Sequence, residues 1–219
     1  MGSINIDNTG SGGAITLSSD GTSLLLGGTA IGGGGSLDLF AENYDGTSTK
    51  PSATGTNTIA IGQSAVAGNA DDGIAIGRGA NCGTATQNIA IGAFSDCGFN
   101  SFAMALGRTA QATGGSSLAL GVGSVSAHDK SVAIGKSNSN GDDSFAAQIV
   151  NNTTSYGAQG NFSIAMGNLA KATGANAISI SGENATASGS KSFAAGGEYP
   201  TASGAFSVAI GGSVNTASG

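Results

Sequence analysis

Few side chains in this sequence are of the types that do chemistry, and their spacing limits what they can do. Cys82 and Cys97 are its two cysteines. Without a nearby histidine they fall short of the ligand set zinc requires. They can form a disulfide or sit as two small apolar side chains, and the spacing leaves both open. His128 is the single histidine, in the run His128-Asp129-Lys130. A catalytic histidine needs a nucleophile or carboxylate held against it, the local sequence predicts neither, and a solvated turn residue is expected. Asp71-Asp72 and Asp142-Asp143 are the paired carboxylates. Adjacent side chains diverge in strands and turns, and the calcium-roll pattern G-G-x-G-x-D is missing, so solvated turn acids are expected. Gly32-Gly33-Gly34-Gly35 has no Lys-Ser/Thr after it and opens no helix, which argues against a phosphate cradle. The expectation is a chain with no catalytic residue, no metal site and no cofactor.

The elements that must position these residues come from an internal repeat. Ile59-Ala60-Ile61-Gly62 returns as Ile74-Ala75-Ile76-Gly77 and Ile89-Ala90-Ile91-Gly92, in equal steps that also match the step from Cys82 to Cys97. Further copies begin at Met104, Leu118, Val132, Ile164, Ile178, Phe193 and Val208, with Phe145-Ala146-Ala147 a degraded one. A second run follows each: Ala65-Val66-Ala67-Gly68, Ala110-Gln111-Ala112-Thr113-Gly114, Ala170-Lys171-Ala172-Thr173-Gly174 and Ala185-Thr186-Ala187-Ser188-Gly189. Both runs alternate with period two, the signature of strands, and end near glycines suited to tight turns. The glycine content is incompatible with helix. The expectation is an all-β fold, a parallel β-solenoid whose coils span about 14 to 15 positions, each made of two short strands and two turns.

Alternation then assigns faces. In the first strand the large residues, Ile59 and Ile61 for example, are expected to fill the interior and the intervening Ala60 to face outward. An outward alanine repeated so often suggests close approach of a second backbone, hence a subunit interface. In the second strand the small pair is expected inside, with Val66, Asn81, Asp96, Gln111, Lys171, Thr186, Thr201 and Thr216 forming an outward column, the solvent or ligand face. Cys82 and Cys97 then fall on inward positions of neighbouring coils.

The composition agrees with a thin core. Of 219 residues 40 are glycine, none is tryptophan and 9% are charged. Such a chain has too few large hydrophobes for one thick globular core, and a solenoid buries many small side chains instead. The formal net charge of −6 and the scatter of the basic residues exclude nucleic acid as a partner, and anionic membrane with it. No stretch approaches the roughly 18 apolar residues of a membrane helix. Met1-Gly2-Ser3 has no signal-peptide character, and Asn215 to Gly219 stop within the repeat. The sequence therefore reads as a piece of a longer protein, with any export signal or anchor outside it.

The I/V-A-I-G run followed by A-x-A-x-G, recurring at about every 14 or 15 positions, resembles the YadA-like head repeats of trimeric autotransporter adhesins. The resemblance covers roughly Asn57 to Gly219, and its specificity lies in the number of copies. It implies a left-handed parallel β-roll and a homotrimer about one axis. It also implies display at the bacterial outer membrane and cell surface, with non-catalytic attachment to host cells, to extracellular-matrix protein or glycan, or to other cells. Contact with membrane would run only through an anchor outside this sequence. Two other readings remain: a phage tail-fibre or receptor-binding solenoid, whose enzymatic version needs clustered carboxylates, and an ice-binding solenoid, which needs a longer threonine array than Thr186, Thr201 and Thr216 provide.

Two regions depart from the repeat. Residues 1–56 are expected to form an irregular β-rich amino-terminal cap or segment, with a distinct binding domain as the second reading, and with strands near Ser3–Asp7, Ala14–Ser18, Thr22–Leu26 and Ser36–Phe40 divided by Gly27–Gly35. Within the roll of residues 57–219, an irregular insert lies near 142–160. Inserts in solenoids project from one face and often carry binding, which singles out Asn151, Asn152 and Tyr156 as ligand contacts.

Overall fold

A computed structural model describes residues 49–68, 71–147, 155–181 and 183–219, together with four short strands nearer the amino terminus. The chain divides into two units, Met1–Glu42 and Asn43–Gly219. In the first, strands Ile4–Ile6, Ile15–Ser19, Leu24–Leu26 and Thr29–Ile31 pair antiparallel in chain order, a meander. Thr29–Ile31 falls within the glycine-rich stretch expected to separate strands, whereas the expected strand at Ser36–Phe40 and the Gly32–Gly35 run lie outside the described residues.

The second unit is the solenoid. The first strands of successive coils, from Ile59–Ile61 to Val208–Ile210, build an eleven-stranded parallel sheet in which each strand pairs with those of the neighbouring coils. The register keeps like over like: Ile59 pairs with Ile74, Ala60 with Ala75 and Ile61 with Ile76. The second strands, Gln111–Ala112 to Val214–Ala217, form an eight-stranded parallel sheet. Single bridges extend its column back through Val66, Asn81 and Asp96, and Ser52–Ala53 pairs with Val66–Ala67, so the stacking begins ahead of Asn57. No helix occurs among the described residues.

Coil length varies. Ile89 pairs with Met104 at the common step, whereas Val132 pairs with Phe145 across a shortened coil and Phe145 with Ile164 across a lengthened one. The long coil gains its extra length between Phe145–Ala147 and Gly157–Ala158, both of which stay in their ladders. An insertion between the two strands of one coil leaves the stacking intact because each ladder needs only its neighbours.

The interior of the coils reverses the expected faces of the first strand. Ala75, Ala90, Ala105, Ala119, Ala133, Ala165, Ala194 and Ala209 are completely buried, while their large neighbours stand on the outside, with Ile91 39% and Ile210 62% exposed. The cause is space. The inward alanines of the first strand meet the inward alanines of the second, so that Ala75 and Ala90 share one cluster with Ala65, Ala67, Ala80 and Cys82. Two very short strands joined by tight turns hold their sheets so close that methyl groups fill the gap, and an isoleucine there would overpack it. The second strand follows expectation: Ala110 and Ala112 are buried and Gln111 between them is exposed.

Serines and glycines shape the turns. Buried Ser95, Ser117, Ser131 and Ser207 each donate through Oγ to the carbonyl three residues back, at 2.9, 2.7, 2.6 and 2.7 Å, closing the turn from within. The glycine that ends I-A-I-G has a stacking reason. Gly77 lies at φ +130°, and a Cβ placed on it would stand 2.7 Å from the carbonyl carbon and oxygen of Gly92 in the next coil.

Candidate functional site

Two outward faces of the solenoid are candidates for binding. The first-strand face is an apolar stripe. Its columns run through Ile74, Ile89, Met104 and Leu118 on one side and Ile76, Ile91, Leu106 and Leu120 on the other, held in line by the ladder. Leu120, Ile180 and Val208 are 41%, 42% and 57% exposed. Over eleven strands at about 4.8 Å the stripe extends roughly 50 Å. Monomeric soluble proteins rarely expose so large a continuous apolar surface, and when they do it marks an interaction site.

The second-strand face is mixed and polar. Val66, Asn81, Asp96, Gln111, Lys171, Thr186, Thr201 and Thr216 all point outward, as expected. Asn81 donates through Nδ2 to Asp96 Oδ1 at 3.0 Å across neighbouring coils, and the same two side chains accept from Gly83 N and Gly98 N at 2.9 and 3.1 Å. Thr186, Thr201 and Thr216 stack in register over three coils. A groove of about 380 Å³ opens on this face between Tyr156 and Tyr199, with Lys171, Thr186 and Thr201 along its floor.

The residues singled out for chemistry occupy supporting positions. Cys82 and Cys97 are buried free thiols, one coil apart by the pairing of Asn81 with Asp96. Burial pushes the Cys97 thiol up to about 12 and raises that of Cys82 as well, so both are protonated at neutral pH. Cys97 Sγ then donates weakly to the Ile89 carbonyl at 3.2 Å. His128 has a partner that the sequence reading missed: its Nδ1 lies 3.3 Å from Asp142 Oδ1, with the two side chains 53% and 45% exposed. An exposed pair of this kind contributes between nothing and about 1 kcal/mol. The signal was the coil length itself, since Asp142 follows His128 by one turn of the solenoid.

The paired carboxylates are tied into the same coil-to-coil pattern. Asp71 Oδ1 accepts from Thr56 N at 3.1 Å and Asp72 Oδ1 from Asn57 Nδ2 at 3.2 Å. Asp142 Oδ2 accepts from Asn161 Nδ2 at 3.3 Å, and Asp143 lies 4.0 Å from Lys130 Nζ. Among the described residues no group of three acidic, cysteine or histidine side chains is placed to hold a metal. Tyr156 is half-buried against the alanine cluster at the mouth of the groove. Asn151 and Asn152 lie outside the described residues.

This architecture defines a repeat protein that presents long faces, one apolar and one polar, along a stack of parallel coils. The family model described as the YadA head domain repeat matches residues 53–80, 101–124, 112–138 and 158–180. Over those segments, which make up less than half of the chain, the solenoid is similar to the YadA-like head repeats of trimeric autotransporter adhesins. Heads of this family have an adhesin-type function, belong to bacterial surface-exposed autotransporters and are generally not enzymes. None of the curated proteins compared with the chain matches it.

Proposed function

We propose that this chain is the head of a homotrimeric adhesin that attaches a bacterial surface to host cells or extracellular matrix, without catalysis. The observation that carries the reading is the apolar stripe of the first-strand face, which recurs coil after coil. Three copies packed through Ile91, Leu120, Ile134 and their neighbours about one axis would bury the stripe in a closed, rotationally symmetric interface. The interface of this proposal uses the large residues, whereas the alanines first assigned to it fill the coil interior. The second-strand columns of the three chains then face outward. Identical shallow contacts repeated on three faces attach firmly through avidity even when each is weak.

Light scattering on the purified chain tests the assembly. A mass of three times the 20.7 kDa chain is expected. The double variant Ile91→Lys/Leu120→Lys places charges in the stripe without touching the coil interior, and should reduce the mass to that of a single chain. A monomeric unaltered chain, or a trimer indifferent to both lysines, overturns the interface. Attachment of coated beads to matrix proteins and cultured cells tests the adhesive role separately.

A further inference from the structure

The groove on the second-strand face has the composition of a saccharide site. Tyr156 and Tyr199 stand at its two ends, three coils apart along the pairing of Gly157, Lys171, Thr186 and Thr201. Three ladder steps amount to about 14 Å, the span of two or three sugar rings. Its volume of about 380 Å³ is within the range of small-ligand sites. The rings offer flat apolar surfaces to the C–H faces of a pyranose, and Asn184, Thr186 and Thr201 offer hydrogen-bonding groups for its hydroxyls.

Lys171 decides the class of sugar. The chain is acidic overall, yet this groove has a lysine in its lining and no carboxylate. The ion pairs of His128 with Asp142 and Lys130 with Asp143 do not involve Lys171, whose ammonium has no carboxylate in the groove lining. Glu183 and Glu198 stand one residue before Asn184 and Tyr199 in the chain, outside the lining. In such a groove the tyrosines would supply apolar contact area and Lys171 a charge-assisted hydrogen bond that selects an acidic ligand. We propose that the groove binds a short glycan ending in a carboxylated sugar, its acid on Lys171 and its rings against Tyr156 and Tyr199. This assignment rests on the second-strand face being the ligand face of the proposed adhesin.

Saturation-transfer NMR and titration of the full chain with 3′-sialyllactose and with lactose test it. The unaltered chain should bind 3′-sialyllactose more tightly than lactose. Lys171→Gln should weaken 3′-sialyllactose about tenfold and leave lactose unchanged. Tyr199→Ala should weaken both about tenfold. Both side chains face outward, and Gln111→Ala, on the same column but outside the groove, should change neither. No binding of 3′-sialyllactose, equal binding of the two sugars, or binding indifferent to both substitutions overturns the assignment. A trimer that attaches to cells but fails these tests removes the glycan site alone, whereas a monomer that binds 3′-sialyllactose as described removes the trimeric head and keeps the site.

Discussion

At the scale of single residues, this structure makes polar and sulfur side chains parts of its stacking. Asn57 with Asp72, Asn81 with Asp96, and His128 with Asp142 each join one coil to the next. The pattern was legible in the sequence, since a polar residue's partner lies one coil length away, but it requires applying the repeat to hydrophilic positions as well as to the I-A-I-G run. Cys97 gives a quantitative test. Its thiol titrates near 9.0 when exposed and near 12 in the fold, so the folded state holds its proton after the unfolded state has lost it. The stability this contributes is complete below pH 9 and is lost as pH rises from there toward 12, at a limiting slope of about 1.4 kcal/mol per pH unit. Replacing Cys97 with the alanine found at the equivalent Ala112 should flatten the decline. Urea midpoints at pH 8 and pH 10.5 measure it: about 1–2 kcal/mol less loss in Cys97→Ala than in the unaltered chain is expected, and an identical pH dependence refutes the account.

At the scale of the strand, the sequence told period but not direction. Alternation proves that Ile89 and Ile91 share a face opposite to Ala90; which face is inside depends on how far apart the two sheets of a coil stand, and no local pattern states that. The abundance of small residues pointed to a thin core. Carried one step further, it would have placed alanine inside. The second strand was read correctly because its small residues flank a variable one, and a position that accepts Val66, Asp96 and Lys171 is an outward one. Ala105 tests the thickness of the gap. Leucine there should destabilise the fold by roughly 3 kcal/mol, at the upper end of what overpacking ordinarily costs, because both sheets are held by their turns and neither can retreat. Serine at the same site, as Ser179 shows in an equivalent strand, should cost far less. Thermal unfolding of the two variants, read together, decides the matter: a leucine variant as stable as the serine one would mean that the sheets can separate.

At the scale of the molecule, the repeat made the solenoid legible from end to end because every coil states the same pattern and an error in one is outvoted by its neighbours. The lengthened coil was legible as a break in the period, with Tyr156 in it, but the groove was not, since it also depends on Tyr199, a residue whose own repeat gave no sign of a role. The ladder bonds between coils also run along the direction in which the coils stack. A tether pulled along that direction loads the ladders between coils in series, and the end coil, bonded on one side only, peels first, so the solenoid yields as a zipper does. Each released coil frees the chain between paired positions, from the short step of Val132 to Phe145 up to the long one of Phe145 to Ile164. Fully extended, these segments measure roughly 45 to 65 Å. Single-molecule stretching should show a staircase of such lengths, and rupture in one event would contradict it. A surface held by a stack of this kind would give way under flow by lengthening, one coil after another, before it let go.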